Sequence, residues 1–224
     1  MNEYLKIQGV YKRDRKTGEF LEGQWSLPEF EYLKNNIWQC TEKIDGTNIR
    51  IIWENDNVTF KGRTDRAEIY LPLLKNLTAT FTSEIMSKVF DTPVCLYGEG
   101  FGSKIQKGGG NYRADQGFIL FDIKVGNWWL KRLDMEEIAS QLNIPIVPII
   151  CHCTIEDAVL SVKKGILSTF GNFPAEGIVL KPLVELKMRN MGRVMTKIKH
   201  RDFTKFKHNM TKVVDPLPTK KSKN

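Results

Sequence analysis

The chain has 224 residues, 41% of them hydrophobic, and 34 Lys and Arg against 26 Asp and Glu give a formal net charge of +8. That is enough apolar material for one large domain or one domain with a small appendage, and it leaves no room for a second large domain. Met1 to Gln8 lacks an apolar signal core and no apolar run is long enough to span a bilayer, so the sequence reads as that of a cytosolic protein.

Residues 1–28 read as short strands and loops with a basic tip, Lys12-Arg13-Asp14-Arg15-Lys16, ahead of the Thr17-Gly18 turn. A solvated charged loop is the plain account of that tip. Pro28, Glu29 and Glu31 open a short helix expected to end near Asn35-Asn36, because proline suits a first turn and acids favour the positive helix end. Ile37 to Lys43 then runs as a strand into Asp45-Gly46, where glycine at positive φ is expected to reverse the chain tightly. The preceding lysine is thereby held by rigid backbone. From Thr47 to Trp53, alternation places Asn48, Arg50 and Ile52 on one face and Ile49, Ile51 and Trp53 on the other.

A fixed lysine suits covalent catalysis by an amine, which requires the neutral form and hence burial or nearby positive charge. The alternative is a solvent-facing lysine beside a turn. Asn55-Asp56-Asn57 turns the chain and Val58 to Arg63 returns as the hairpin partner, with Lys61 and Arg63 on one face. Apolar residues between 67 and 90 fall at helical spacing and are assigned to the core. Val94 to Gly102 reads as an apolar strand whose glycines lack the spacing of a dinucleotide fingerprint. Instead they flank Glu99 and leave its carboxylate open to a small ligand.

Ser103-Lys104-Ile105-Gln106-Lys107 follows, then Gly108-Gly109-Gly110-Asn111, read as a mobile loop that brings Tyr112 and Arg113 toward a nucleic-acid end. Gly117 to Val125 is a strand with Phe121 as the stacking candidate and Phe118 as its fallback, the alternative being that both are core. Asp134 to Leu142, and a helix capped at Thr154 running to about Phe170, look structural. In Glu176-Gly177-Ile178-Val179-Leu180-Lys181-Pro182, strict alternation separates Glu176 from Lys181, and either a bulge near Gly177 unites them or Lys181 serves elsewhere. Lys197 and Lys199 share a face. Beyond Phe203, six lysines against Asp215 alone, with Pro216 and Pro218, read as a flexible basic tail. The four cysteines read as reduced thiols, and Cys151-His152-Cys153 lacks the second ligand pair of a structural zinc site.

In order, Lys43-Ile44-Asp45-Gly46-Thr47-Asn48, Glu99, Phe121-Asp122-Ile123, Glu176 to Lys181 and Met195-Thr196-Lys197-Ile198-Lys199 resemble the motifs of the covalent nucleotidyltransferases. Asn48 in place of arginine, and the Ile105-Gln106-Lys107 element, are similar to the RNA ligase 2 type of ATP-dependent RNA ligase. The resemblance spans residues 37–203. It implies an α+β fold, a nucleotidyltransferase (ATP-grasp-like) domain of two antiparallel sheets flanked by helices, over residues 1–203, with a tail over 204–224. It also implies joining of 3′-OH and 5′-phosphate RNA ends, with ATP as substrate and Mg2+ or Mn2+ as metal.

By the same resemblance Lys43, Lys197 and Lys199 are catalytic, and Glu42, Asn48, Arg63, Glu99, Phe121, Glu176 and Lys181 bind nucleotide. Glu176 is the metal-side carboxylate, and Arg50, Lys104, Lys107 and Arg113 contact nucleic acid. A monomer acting on RNA ends, in the cytoplasm and compatible with phage origin, is the expectation, without the C-terminal domain that many ligases carry. Three alternatives stay open: a compact DNA ligase, a guanylyltransferase, and a non-catalytic nucleic-acid-binding module.

Overall fold

The computed structural model describes residues 3–190 and 192–204. Apart from Thr204, the expected basic tail lies outside them. In chain order the elements are β1 (Gln8–Gly9), β2 (Tyr11–Arg13), β3 (Phe20–Trp25), α1 (Pro28–Tyr32), β4 (Trp38–Glu42), β5 (Thr47–Glu54), β6 (Asn57–Lys61), α2 (Leu71–Thr80), α3 (Ser83–Val89), β7 (Val94–Gly102), β8 (Gln116–Val125), β9 (Trp128–Trp129), α4 (Arg132–Gln141), β10 (Ile149–Cys153), α5 (Ile155–Lys164), β11 (Gly177–Pro182), β12 (Thr196–Lys199) and α6 (His200–Thr204).

Two five-stranded sheets carry the architecture, with β2 and β3 as a separate hairpin. The order β6-β5-β7-β8-β9 is antiparallel throughout. In the other, β1-β12-β11-β4-β10, every pair is antiparallel except β1 with β12, which run parallel. Alternation in β5 works as expected: Ile49, Ile51 and Trp53 enter a core with Leu73 and Leu77 of α2, Met86 of α3 and Met135 of α4. The second sheet buries Cys40, Ile178, Leu180 and Ile198 against Ile155, Ala158, Val159 and Val162 of α5. Between the sheets lie smaller clusters, one containing Tyr4, Ile52, Tyr97 and Met195, the other Ile44, Phe101, Ile119 and Val147.

Several boundaries differ from expectation for local reasons. α1 stops at Tyr32, where the chain tightens into i→i+3 turns, Lys34 N–H donating to the Glu31 carbonyl and Asn36 N–H to the Leu33 carbonyl, which also accepts the Trp38 indole N–H at 3.0 Å. The apolar stretch from 67 to 90 is two helices, broken where the Thr82 hydroxyl accepts Ile85 N–H and caps α3. α5 ends at Gly165, which takes φ +95°. The glycine run after β7 forms a short 3-10 turn over Gly109–Asn111, with Gly109 packed onto the Gly102 carbonyl. No helix among the described residues is long and apolar enough to cross a membrane.

Candidate active site

β4 belongs to one sheet and β5 to the other, so Lys43-Ile44-Asp45-Gly46 is the crossing between them and does not close a hairpin. The crossing is fixed by backbone: Glu42 N–H donates to the Pro148 carbonyl and Lys43 N–H to the Gly177 carbonyl, both at 3.0 Å. Gly46 does not adopt positive φ; glycine is required because a Cβ there would lie 2.3 Å from the Gly100 carbonyl oxygen of β7. Gln106 Nε2 donates to the Gly46 carbonyl at 3.0 Å, and the Tyr112 hydroxyl accepts Asp45 N–H at 3.4 Å. Thus Tyr112, expected to face a nucleic-acid end, instead buttresses the crossing, its ring edge-on to Phe101, Phe170 and Phe173.

The two inner sheet faces enclose a cavity of about 200 Å³. Eight of the expected residues line it: Glu42, Lys43, Asn48, Arg63, Glu99, Phe121, Lys181 and Lys197. Lys199 and Glu176 join through the nucleophile candidate, since the Glu176 carboxylate pairs with Lys43 Nζ through one oxygen and Lys199 Nζ through the other, each at 2.5 Å. Burial pushes the Glu176 carboxyl upward, but the charge of Lys43 and the hydrogen bonds from Lys199 and Lys43 hold it below its ordinary value. Lys197 is lowered to about 8, first by burial and then by the charges of Lys199 and Lys43.

Gly177 resolves the placement of Glu176. It sits at φ +154° with its α-carbon against the Ile198 carbonyl, where a Cβ would be only 2.0 Å away. This irregular backbone at the strand entrance breaks alternation, so Glu176 reaches the cavity amines while Lys181, farther along β11, also lines the cavity. A second irregularity orients Phe121. The register of β7 and β8 jumps between Tyr97↔Asp122 and Gly98↔Leu120, leaving Phe121 as the extra residue of a bulge. Phe118 and Leu120 face the helices before it and Ile123 after it, whereas Phe121 faces the cavity. Phe118 is therefore core.

Two acids are raised inside this site. Glu99 is pushed up to about 8 by burial, with Lys43 opposing and Glu176 and Asp45 adding to the shift. Asp45 is raised by burial and then by Glu176. The side-chain oxygen of Asn48 is buried with no hydrogen-bond partner, an acceptor left for a ligand.

Other expectations need correction. Arg50 is fully buried, its Nε donating to the Gly62 carbonyl at 2.9 Å and its Nη2 to Asp65 at 2.7 Å. It locks the segment after β6 onto β5 and cannot reach nucleic acid. The Glu42 side chain is also spoken for: Ser168 and Thr169 hydroxyls donate to it at 2.6 Å each, and Thr169 N–H at 2.9 Å. Arg113 is clasped by Asp115 at 2.6 and 2.8 Å and stacks over Phe101. Lys104 and Lys107 are exposed, as a surface contact requires.

Sequence reasoning missed a buried charge network beside the cavity. Asp122 accepts from the Tyr4 hydroxyl and pairs with Lys181 and with Arg193, both at 2.7 Å; Arg193 also pairs with Glu185. Burial pushes the Asp122 carboxyl upward, yet Lys181 and Arg193 keep it below its ordinary value. Neighbouring Phe121-Asp122 was in view, but Tyr4 and Arg193 lie far from it in sequence and gave no signal. Residues 4–7 also line the cavity, held there by the parallel pairing of β1 with β12.

The RNA ligase family model matches residues 36–199. Among solved structures, the fold resembles Naegleria gruberi RNA ligase with pyrophosphate (TM-score 0.63, 21% identity, 81% of this chain and 55% of that one). It also resembles a variant of that ligase with ATP and manganese (0.68, 21%, 92% and 58%) and another with AMP and manganese (0.63, 21%, 91% and 59%). At this identity the likeness establishes the fold, and the chain spans less than two thirds of each of these relatives. With the family match covering most of its length, from just before β4 through β12, the chain belongs to the RNA ligase family.

Proposed function

We propose that this chain is an ATP-dependent RNA ligase that joins 3′-OH and 5′-phosphate ends through a lysine-AMP and a 5′-adenylylated RNA. The observation that carries the reading is the placement of Lys43 at a cavity between two sheets, its amine on the same carboxylate as Lys199. The Lys43 amine attacks the α-phosphorus of ATP. An N–P bond forms, the bond to the bridging oxygen breaks, pyrophosphate leaves and the amine gives up its proton. A 5′-phosphate oxygen of RNA then attacks the same phosphorus and frees Lys43, and a 3′-hydroxyl displaces AMP to form the phosphodiester. Lys197 and Lys199 stabilise charge on the phosphates. Glu99 and the unpartnered Asn48 oxygen take ribose hydroxyls, and Phe121 packs on the base.

The Glu176 carboxylate at the cavity amines is an oxygen donor of the kind a hard divalent cation takes, one or two carboxylates sufficing for magnesium. Glu176 would hold Mg2+ or Mn2+, which when bound would neutralise phosphate charge. Support for a polyanionic partner comes from a groove of about 660 Å³ that shares Lys6 and Lys197 with the cavity and carries Lys12, Arg13, Lys199 and Arg201. A monomer working in the cytoplasm belongs to the same reading, the four free thiols suiting a reducing compartment.

Incubation with α-labelled ATP or GTP and magnesium, followed by denaturing electrophoresis, tests the first step. Wild type takes label from ATP and Lys43→Ala takes none; folded protein free of bound AMP that takes no label would overturn the reading. Nicked RNA and nicked DNA then separate an RNA ligase from a DNA ligase.

A further inference from the structure

The register of β10 on β4 places Cys151 directly across from Cys40, with a bulge just before it, between Ile149 and Cys151. Cys153, two residues on, lies on the same side of β10 as Cys151. Three thiols thus converge: Sγ of Cys151 and Cys153 are 3.0 Å apart, those of Cys40 and Cys153 3.6 Å, and all three lie within 4.8 Å of one another. His152 turns to the other side and is exposed. The sequence shows only a Cys-x-Cys pair; strand pairing supplies the third sulfur from more than a hundred residues away.

We propose that Cys40, Cys151 and Cys153 form a binding site for a soft, thiophilic metal ion, of the class of Cu(I) or Cd(II). Three thiolates around one ion at a metal–sulfur distance of about 2.3 Å have sulfur–sulfur separations of about 4.0 Å in a plane. The two closer pairs, at 3.0 and 3.6 Å, need to open by up to about an ångström to reach that value, within the reach of side-chain rotation. Thiolate selects soft ions, and hard cations such as magnesium gain nothing from it. Binding is a ligand exchange without redox change, in which each coordinating sulfur releases its proton to solvent. The site is open to solvent, because Cys151 and Cys153 are only half-buried while Cys40 forms the floor. Cys40 packs on the α5 side of β4, whereas Thr41 and Lys43 line the nucleotide cavity, so the two sites are distinct.

The test titrates the full chain, reduced and kept under argon, with Cd(II) alone, following sulfur-to-cadmium charge-transfer absorption and the thermal transition. One equivalent per chain should bind with a rise in Tm, undisturbed by excess magnesium. Cys151→Ser and Cys153→Ser, at half-buried positions, should each weaken binding at least about tenfold because a soft ion loses one of three thiolates, while Cys95→Ser, in the other sheet, should bind as wild type does. Metal-free transitions of the variants establish that they are folded. Charge-transfer absorption that survives in the Cys151→Ser/Cys153→Ser double variant, or that fails to develop in the reduced wild type, would overturn the assignment.

Discussion

Replacing Glu99 by glutamine makes the cost of its buried carboxylate measurable. This carboxyl is pushed from an ordinary 4.5 to about 8, chiefly by burial. A raised pKa means that the folded state binds the proton more tightly than the unfolded state, so stability is fully present below about 4.5 and is lost as pH rises toward 8. Between those limits the loss approaches about 1.4 kcal/mol per pH unit. The whole shift corresponds to an upper bound of about 5 kcal/mol, reduced by any water that enters the cavity. Glu99→Gln keeps the shape and removes the titration. Urea unfolding of wild type and variant from pH 5 to 9 should therefore show Glu99→Gln gaining on wild type as pH rises, by several kcal/mol in all, with the difference levelling above about pH 8. Using the difference between the two proteins cancels groups that titrate in both. Parallel curves across that range would refute the inference that Glu99 is held neutral.

Two further substitutions separate structural from functional charge. Arg50→Met should lower stability by about 1–3 kcal/mol, the cost of a lost buried hydrogen-bond donor, and leave RNA affinity of the folded protein unchanged in a binding titration; a loss of affinity at full folding would return Arg50 to the RNA surface. Asp122→Asn leaves Lys181 and Arg193 facing each other without their shared anion, and chemical denaturation should register a loss of about 3–5 kcal/mol. Unchanged stability would show that water already compensates those cations.

The sequence made the strands that carry chemistry legible because their signals are local. Val94 to Gly102 is β7 over the expected residues, and Ile37 to Lys43 contains β4. Thr154 caps α5 as its spacing suggests, its hydroxyl accepting Asp157 N–H. What could not be read was whichever property depended on the partner across a sheet or a cavity. Arg50 alternates onto the expected face, yet that face is closed by the segment around Gly62 and Asp65, and nothing local announces this. Gly46 looked like a turn residue, whereas its necessity comes from the Gly100 carbonyl on another strand. Phe121 could not be told from Phe118 by period two because the bulge that separates their faces is a property of the β7–β8 pairing. Tyr4 and Arg193 meet Asp122 only after both sheets are in place.

The parallel pairing of β1 with β12 also sets the order in which the protein can become chemically competent. Gln8 pairs with Thr196 and Gly9 with Lys197, contacts between segments nearly two hundred residues apart. A nascent chain emerges from the ribosome over many seconds, and pairings of such separation form late because the loop between them must first be closed. Until residues 195–199 have emerged, one wall of the cavity is missing, Lys197 and Lys199 do not exist, and residues 4–7 have nothing to lie against. Lys43, synthesised early, thus waits without Lys197 and Lys199, and the cavity is complete only in a chain whose β-architecture is already closed.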